Sequence, residues 1–231
     1  MTIAHFQAHG QSELMPVTHF PDPRETDTDG IVAVGGDLHV ESLLLAYRQG
    51  IFPWPDPSFA EVIWACPAQR GILEFDRLHV PRSLKTAQKK TDFRFTIDKA
   101  FDVVIALCAG MPRPDQDGTW ITRDMLRAYS RFHAKGYAHS VECWSGEELV
   151  GGMYGVDIDG AFAGESMFYL KPNASKLALL HLIEHLMSRG LEWMDIQMVT
   201  PHLQALGARA IPRNEFLEKL EKARGRGLKL F

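Results

Sequence analysis

Apolar and polar residues alternate most clearly between residues 140 and 169 of the chain. Three alternating runs, at residues 140–144, 149–158 and 161–169, predict β-strands. Ser145-Gly146 and Asp159-Gly160 separate them, and both dipeptides favour tight turns between antiparallel strands. The pattern therefore predicts a three-stranded meander.

The pattern changes to helical spacing directly after the meander. Leu177, Leu180, Ile183 and Leu186 recur every three or four residues and predict a helix over residues 174–188. Asn173 is expected to accept a hydrogen bond from the first free N–H groups of this helix, and Gly190 to end it. Residues 191–199 are strand-like again, so the unit is a meander, a helix and a returning strand.

Weaker patterns predict the remaining elements. Helices are expected at residues 40–49, 81–90, 99–109, 124–135, 201–206 and 214–223. Asp98, Thr122 and Asn214 are expected to cap three of them. Strands are expected at residues 62–66, 71–75, 93–97 and 208–211. The first two strands are expected to close a small N-terminal domain over residues 1–75. A larger domain with a mixed α/β sheet is expected over residues 76–231.

Composition describes an ordinary soluble globular protein. The chain has 231 residues, of which 45% are hydrophobic and 23% charged. Its apolar runs fall far short of the roughly 20 residues that span a bilayer, and its first residues lack a signal pattern, so a cytoplasmic protein is expected. Cys66, Cys108 and Cys143 are widely spaced, which predicts buried thiols and neither disulfides nor a zinc site.

Charge is unevenly distributed along the chain. The net charge is −4, but residues 77–99 carry seven Lys or Arg against two Asp. Arg82, Lys85 and Lys89 recur at helical spacing and would form a basic stripe, with Lys90 beside it. Such a stripe is more often a solvated face than a binding site, and both interpretations stay open on charge alone.

Polar residues inside two predicted strands are the best candidates for chemistry. Glu165 interrupts one strand, and Asp195 and Gln197 share a face of another if side chains alternate strictly. A carboxylate in such a place costs several kcal/mol to bury unless it is paired. The three residues form either a structural hydrogen-bond network or a carboxylate–amide site that binds and orients an amine.

Other chemistries find little support in the residue pattern. Among the ten histidines, His181 and His185 form an i,i+4 pair within a predicted helix and are expected on its surface, so no metal site is predicted. No nucleophile motif is present. Met153, Met167 and Phe162 suit an adaptable apolar pocket, although core packing explains each of them equally well.

Six short motifs together resemble the bacterial leucyl/phenylalanyl-tRNA–protein transferases. They are GGDL (residues 35–38), YRQGIFPW (47–54), GTWITR (118–123), GGMYGV (151–156), GESMF (164–168) and NASK (173–176). Six motifs in the right order over residues 30–220 are far more specific than any one of them. The chain departs from the family pattern in Trp64-Ala65-Cys66-Pro67, in residues 112–117 and after residue 220.

The resemblance implies a cytoplasmic enzyme that needs no cofactor, no coenzyme A and no metal. It would move leucine or phenylalanine, with methionine as a further candidate, from aminoacyl-tRNA to proteins with N-terminal Arg or Lys, creating a degradation signal (N-degron). The larger domain would have the fold of the acetyl-CoA-dependent (GNAT-like) acyltransferases, and a monomer without membrane contact is expected.

The same resemblance assigns roles to particular residues. Asp195 and Gln197 fall on positions proposed to relay and accept the proton of the incoming amine, with Glu165 on a neighbouring polar position. The expected substrate-binding residues, for the donor side chain or the 3′-adenosine, are Trp54, Trp120, Met153, Phe162 and Met167. The expected tRNA-binding residues are Arg82, Lys85, Lys89 and Lys90.

Two other functions remain as alternatives. A coenzyme-A-dependent acetyltransferase would have a similar sheet, but it would need a glycine-rich pyrophosphate turn that LKPNASK (residues 170–176) does not supply. A non-catalytic module that binds RNA or degradation signals would keep the basic stripe without needing Asp195 and Gln197.

Overall fold

A computed structural model of the protein describes residues 4–6, 15–54, 61–111 and 121–231. Its strands are β1 (Ala4–Phe6), β2 (Ile31–Gly35), β3 (Phe52–Trp54), β4 (Ile63–Ala65), β5 (Gln69–Glu74), β6 (Arg94–Ile97), β7 (Ala138–Ser145), β8 (Glu148–Ile158), β9 (Ala161–Tyr169), β10 (Trp193–Gln197) and β11 (Arg209–Pro212). Its α-helices are α1 (Val40–Arg48), α2 (Arg82–Lys90), α3 (Phe101–Gly110), α4 (Arg123–Ala134), α5 (Ala174–Ser188), α6 (Pro201–Gln204) and α7 (Arg213–Gly225). The expected mixed α/β class is confirmed.

The strands form two sheets. The smaller has the order β1-β2-β4-β3, and the larger has the order β11-β5-β10-β9-β8-β7-β6. In the larger sheet β9 and β10 run parallel, while the other neighbouring strands are antiparallel.

The prediction that β5 closes the N-terminal region is wrong, because β5 lies between β10 and β11 of the larger sheet. Ile72 and Leu73 are both completely buried, which suits a strand covered on both faces. The division at residue 75 stays a prediction.

The predicted meander is confirmed as β7, β8 and β9. The turns between these strands carry positive φ angles at Gly146, Asp159 and Gly160, as tight hairpins require. The helix predicted after the meander is α5, with the expected bounds. It packs against β7, β8 and β9, and so it covers one face of the strands that carry the candidate residues.

Three of the expected helix caps are wrong and one is confirmed. Thr122 accepts a hydrogen bond from the Met125 N–H, as predicted. Asn173 adopts a left-handed conformation with φ of 67° and its side chain makes no capping bond. Asp98 instead accepts the Ser140 N–H, and Asn214 lies inside α7 behind Pro212. The partner of Asp98 lies 42 residues away along the chain, so the local sequence does not reveal it.

The larger sheet separates two apolar layers. One layer contains residues of α1, α3, α4 and α7 together with the smaller sheet, and the other contains residues of α2, α5 and α6. Cys66, Cys108 and Cys143 are buried, as expected. Across the part of the chain that is described, no helix has both the length and the apolar character to cross a membrane.

Gly151 allows α5 to approach the sheet closely, and its substitution by alanine should destabilise the fold. An added Cβ would lie 2.5 Å from Ala174 Cβ and 2.9 Å from the Ala174 carbonyl carbon, which is closer than packed atoms come. We expect Gly151→Ala to lower the free energy of unfolding by about 1–3 kcal/mol, measured by urea denaturation. Gly110→Ala is the control, because nothing lies within 4 Å of an added Cβ there. Equal stability of the two variants would contradict this packing.

Candidate active site

The candidate catalytic residues meet where β9 and β10 separate. The two strands pair in parallel at Asp195 and Ala163, the one registered pair among the residues described. Two residues further along each strand, Gln197 Nε2 donates a hydrogen bond of 2.9 Å to Glu165 Oε1. A side-chain bond therefore joins the two strands just beyond the backbone pairing, from Gln197 at the end of β10 to Glu165 in the middle of β9.

Each of these strands contains a β-bulge at the site. Asp195 and Gln197 face the consecutive residues Ile72 and Gly71 of β5, so Ile196 is an extra residue in β10. Tyr154 and Gly155 of β8 face Ser166 and Gly164, so Glu165 is the extra residue in β9. A bulge changes the direction of the side chains beside it. The expectation that Asp195 and Gln197 share a face assumed that side chains alternate strictly along the strand. It did not allow for these bulges.

Asp195 is buried in an ion pair that the sequence analysis missed. Arg70 donates from Nε to Asp195 Oδ1 at 2.8 Å and from Nη2 to Oδ2 at 2.7 Å, and both side chains are buried. The Gln197 N–H also donates to Asp195 Oδ1, at 2.9 Å. The local sequence offers little signal for this pair, because Arg70 lies between Gln69 and Gly71, before the apolar residues of β5, and its burial depends on the fold.

Aromatic rings enclose the Arg70 guanidinium. Its central carbon lies 4.6 Å from the ring centroid of Phe52 and 4.4 Å from that of Phe216. Such contacts attract a cation to the faces of the rings. Trp54 is half-buried, and its ring centroid lies 5.8 Å from that of Phe52. The expected substrate residue Trp54 is therefore separated from the Arg70–Asp195 pair by one aromatic ring.

Glu165 lies in a different electrostatic environment from Asp195. Tyr129 donates to Glu165 Oε2 at 3.4 Å, and the Tyr129 and Tyr47 hydroxyls are hydrogen-bonded to each other. Burial raises the pKa of Glu165 to about 7, and the nearby Asp195 charge adds to the shift, while the Tyr47 hydroxyl, Arg70 and Tyr129 oppose it. Burial and the Glu165 charge also raise the pKa of both tyrosines well above its usual value. Glu165 can thus exchange a proton near neutral pH.

The expected apolar substrate residues lie mainly on the α5 side of the sheet. Met153 and Phe162 are buried there, and Met153 faces the half-buried Met167 across β8 and β9. A Cβ added to Gly164 would lie 2.7 Å from Met194 Cε and 3.6 Å from Met153 Cε. The methionine methyl groups therefore approach the backbone next to Glu165. Trp120 lies outside the described residues.

The basic stripe lies apart from the carboxylate–amide network. Arg82, Lys85, Lys89 and Lys90 are exposed on α2, which packs in the same apolar layer as α5. Lys85 and Lys89 border a groove of about 330 Å³ that is lined by residues of α2 and α5 and by residues preceding α2. Tyr47 and Tyr129 belong to the opposite layer, so the structure does not bring the stripe into contact with Glu165.

The described residues contain no group of three His, Cys, Asp or Glu side chains placed to hold a metal ion. His181 and His185, expected on the helix surface, are half-buried. His181 stacks on Phe95, and the His185 ring nitrogen lies 2.7 Å from the Leu230 carbonyl oxygen. Packing therefore explains this histidine pair.

Comparison with known proteins identifies one family. The family model described as leucyl/phenylalanyl-tRNA protein transferase matches residues 72–221, and the model of its N-terminal domain matches residues 36–68. A protein of that name from Anaeromyxobacter dehalogenans (strain 2CP-C) is 49% identical over 204 residues, covering 88% of this chain and 87% of the relative. Another, from Pseudoalteromonas atlantica, is 48% identical over 207 residues, covering 89% and 88%.

Solved structures give a much weaker match. The structure of L-PGS from Bacillus licheniformis aligns with a TM-score of 0.41 and 15% identity, covering 57% of this chain and 46% of that one. The expectation of a GNAT-like fold for the larger domain stays a prediction.

The raised pKa of Glu165 should make stability depend on pH. The folded state binds the proton more tightly than the unfolded chain between pH values of about 4.5 and 7. The contribution of Glu165 to the free energy of unfolding therefore falls as the pH rises through this range. We expect Glu165→Gln to gain stability relative to the native protein between pH 5 and pH 8, by up to about 3 kcal/mol.

Urea unfolding at several pH values measures this difference. Glu221→Gln, at an exposed position of α7, is the matched control for the same change of side chain. A stability difference that is constant with pH for Glu165→Gln would show that Glu165 titrates as an ordinary carboxyl.

Proposed function

Because the chain belongs to the leucyl/phenylalanyl-tRNA protein transferase family, we propose that its Glu165–Gln197 site is where the aminoacyl ester meets the acceptor amine. As a member of this family the chain is an aminoacyltransferase, which moves leucine or phenylalanine from aminoacyl-tRNA to protein. The observation that carries the assignment of the site is the Gln197–Glu165 hydrogen bond at the separation of β9 and β10. It brings an amide and a carboxyl that titrates near neutral pH into contact.

The reaction requires little covalent chemistry from the protein. The amine nitrogen attacks the ester carbonyl carbon, a C–N bond forms, and the C–O bond to the tRNA ribose breaks. The amine loses a proton and the ribose oxygen leaves as a hydroxyl. An ester is already activated, so alignment, proton removal and stabilisation of the developing oxyanion are sufficient, without a protein nucleophile or a metal.

Gln197 and Glu165 are suited to different parts of this step. The Gln197 amide donates through Nε2 to Glu165, which directs its carbonyl oxygen towards the opposite side. That oxygen would accept a hydrogen bond from the incoming amine and align it. Glu165 is the carboxyl of the site that can accept a proton at neutral pH, because its pKa is raised to about 7.

The proposed donor pocket consists of Met153, Phe162 and Met167, with Trp54 and Trp120 at the donor side chain or the 3′-adenosine. Flexible methionines can pack against either leucine or phenylalanine. An apolar pocket of this kind separates side chains that differ by one methylene by only about 1–3 kcal/mol, so methionine remains a candidate donor.

The proposed acceptors are proteins with N-terminal Arg or Lys, and the product would carry the N-terminal Leu or Phe of a degradation signal. A carboxylate of the site would bind the basic acceptor side chain. Glu165 and Asp195 are the two carboxylates available for that contact. Cytoplasmic localisation, a monomeric state and independence from coenzyme A and other cofactors belong to the same proposal.

Transfer of labelled leucine tests the function, and Gln197→Ala tests the site. The purified protein should join leucine from charged tRNA to a peptide with N-terminal Arg, and not to one with N-terminal Asp. Gln197→Ala should lower kcat by about 10-fold or more, because the amine loses its alignment, while tRNA affinity stays nearly unchanged. Gln204→Ala, at an exposed position of α6, is the control and should retain full activity. A loss of tRNA binding without a loss of kcat would remove Gln197 from the catalytic step.

Replacing Lys85, Lys89 and Lys90 with alanine tests the basic stripe. If these side chains contact phosphates, the variant should bind tRNA more weakly and its log Kd should depend less steeply on log salt, by about 2–3 in slope. Binding is measured by filter retention over a range of salt concentrations. The control removes Lys135, Lys222 and Lys229, which are exposed elsewhere, and so makes the same change in net charge. Equal slopes for the two triple variants would place the RNA on another surface.

A further inference from the structure

Arg70 is buried beside the proposed site, and its guanidinium is paired with Asp195. We infer that Arg70 is a positioning residue for aminoacyl transfer, which acts through Asp195 on the backbone of Gln197. The inference rests on the proposed function of the Glu165–Gln197 site.

The Arg70 guanidinium is fixed from several directions. Arg70 lies in β5, opposite Ile211 of β11, and its charged group sits between the rings of Phe52 in β3 and Phe216 in α7. Both of its bonds to Asp195 are short and parallel, in the planar fork geometry that arginine makes with a carboxylate. A lysine offers a single charged centre and does not reproduce this geometry.

The Asp195 carboxylate is fully engaged by the protein itself. Its two oxygens accept three hydrogen bonds, two from Arg70 and one from the Gln197 N–H. Because this carboxylate is buried and already paired, it is placed to hold structure and not to contact substrate. Asp195 therefore transmits the position of Arg70 to the residue two places further along β10.

Gln197 has an unusual backbone conformation. Gln197 has a φ of 54°, in the left-handed region that residues other than glycine seldom adopt. The bond from its N–H to Asp195 Oδ1 stabilises this turn, which follows the bulge at Ile196. Gly71 on the neighbouring strand leaves the space needed, since a Cβ there would lie 2.7 Å from the Met198 carbonyl carbon. The turn directs the Gln197 side chain to Glu165.

Removing Arg70 should release this arrangement. Asp195 would become an unpaired buried charge, which would rotate towards water or take up a proton. The Gln197 turn would lose its stabilising acceptor, and the amide would no longer be held against Glu165. The chemical step should then slow, whereas tRNA binding on α2 should continue, because that helix lies in the other apolar layer.

Steady-state kinetics of single and double variants test the inference. Arg70→Met and Asp195→Asn should each lower kcat by about 10-fold or more, with less than about a 3-fold change in the KM for aminoacyl-tRNA. The double variant should have a kcat within about 2-fold of Asp195→Asn alone, since residues that act in series are not additive. Arg70→Lys should retain an intermediate kcat, and it remains informative if Arg70→Met does not fold.

Arg213→Met is the matched control for losing a buried arginine. Arg213 donates to the backbone carbonyls of Pro23, Thr26 and Asp27 and so anchors the N-terminal segment, without contact to Asp195 among the described residues. It should lower Tm while leaving kcat, per folded molecule, within about 2-fold of the native value.

The outcomes separate this inference from the proposed function. If the native protein forms no peptide bond between leucine and the Arg-headed peptide, the proposed function fails. If the native protein is active but folded Arg70→Met has native kcat, or the losses of the two single variants multiply in the double variant, Arg70 is not a positioning residue.

Discussion

The separation of β9 and β10 is the constraint on which the candidate site depends. Two parallel strands that stay paired would satisfy each other with backbone hydrogen bonds and leave no room between them for side chains. Here the registered pairing is at Asp195 and Ala163, and beyond it bulges at Ile196 and Glu165 turn polar side chains towards one another. The site therefore lies where backbone pairing gives way to side-chain contact, at the end of β10.

Polar side chains stabilise that separation, because each one is hydrogen-bonded to the next in a continuous network. The network runs from Arg70 through Asp195, Gln197 and Glu165 to the tyrosine pair Tyr47 and Tyr129. Its members come from the N-terminal helix α1, from α4 and from three strands of the larger sheet. The N-terminal region and the larger sheet therefore complete one network together. Buried groups of this kind are stabilising only when they are paired, so both parts of the chain must be in place for the site to exist.

The sequence predicted those features that depend on local patterns. Alternation and turn chemistry were sufficient for β7, β8 and β9, and helical spacing was sufficient for α5. Polar residues inside predicted strands pointed to Glu165, Asp195 and Gln197. The role of Arg70 was not predicted, because Arg70 lies 125 residues before its partner Asp195. The position of β5 was not predicted either, because it depends on pairing with strands near the other end of the chain. The bulges were not predicted, because an extra residue in a strand depends on how that strand pairs with its neighbours in the sheet. The predicted cap Asp98 failed for a related reason, because its carboxylate accepts the N–H of Ser140, which is distant in sequence.

The two carboxylates of the site are adapted to different roles by their surroundings. Asp195 faces a guanidinium and forms an ion pair, whereas Glu165 faces neutral donors from Gln197 and Tyr129 and has a pKa raised to about 7 by burial. The ion pair suits Asp195 to a structural role, and the raised pKa suits Glu165 to proton transfer. Gln197 touches both, its backbone N–H on Asp195 and its side-chain amide on Glu165. An amide does not titrate near neutral pH. Gln197 therefore fixes the relative positions of the two acids without transferring a proton between them.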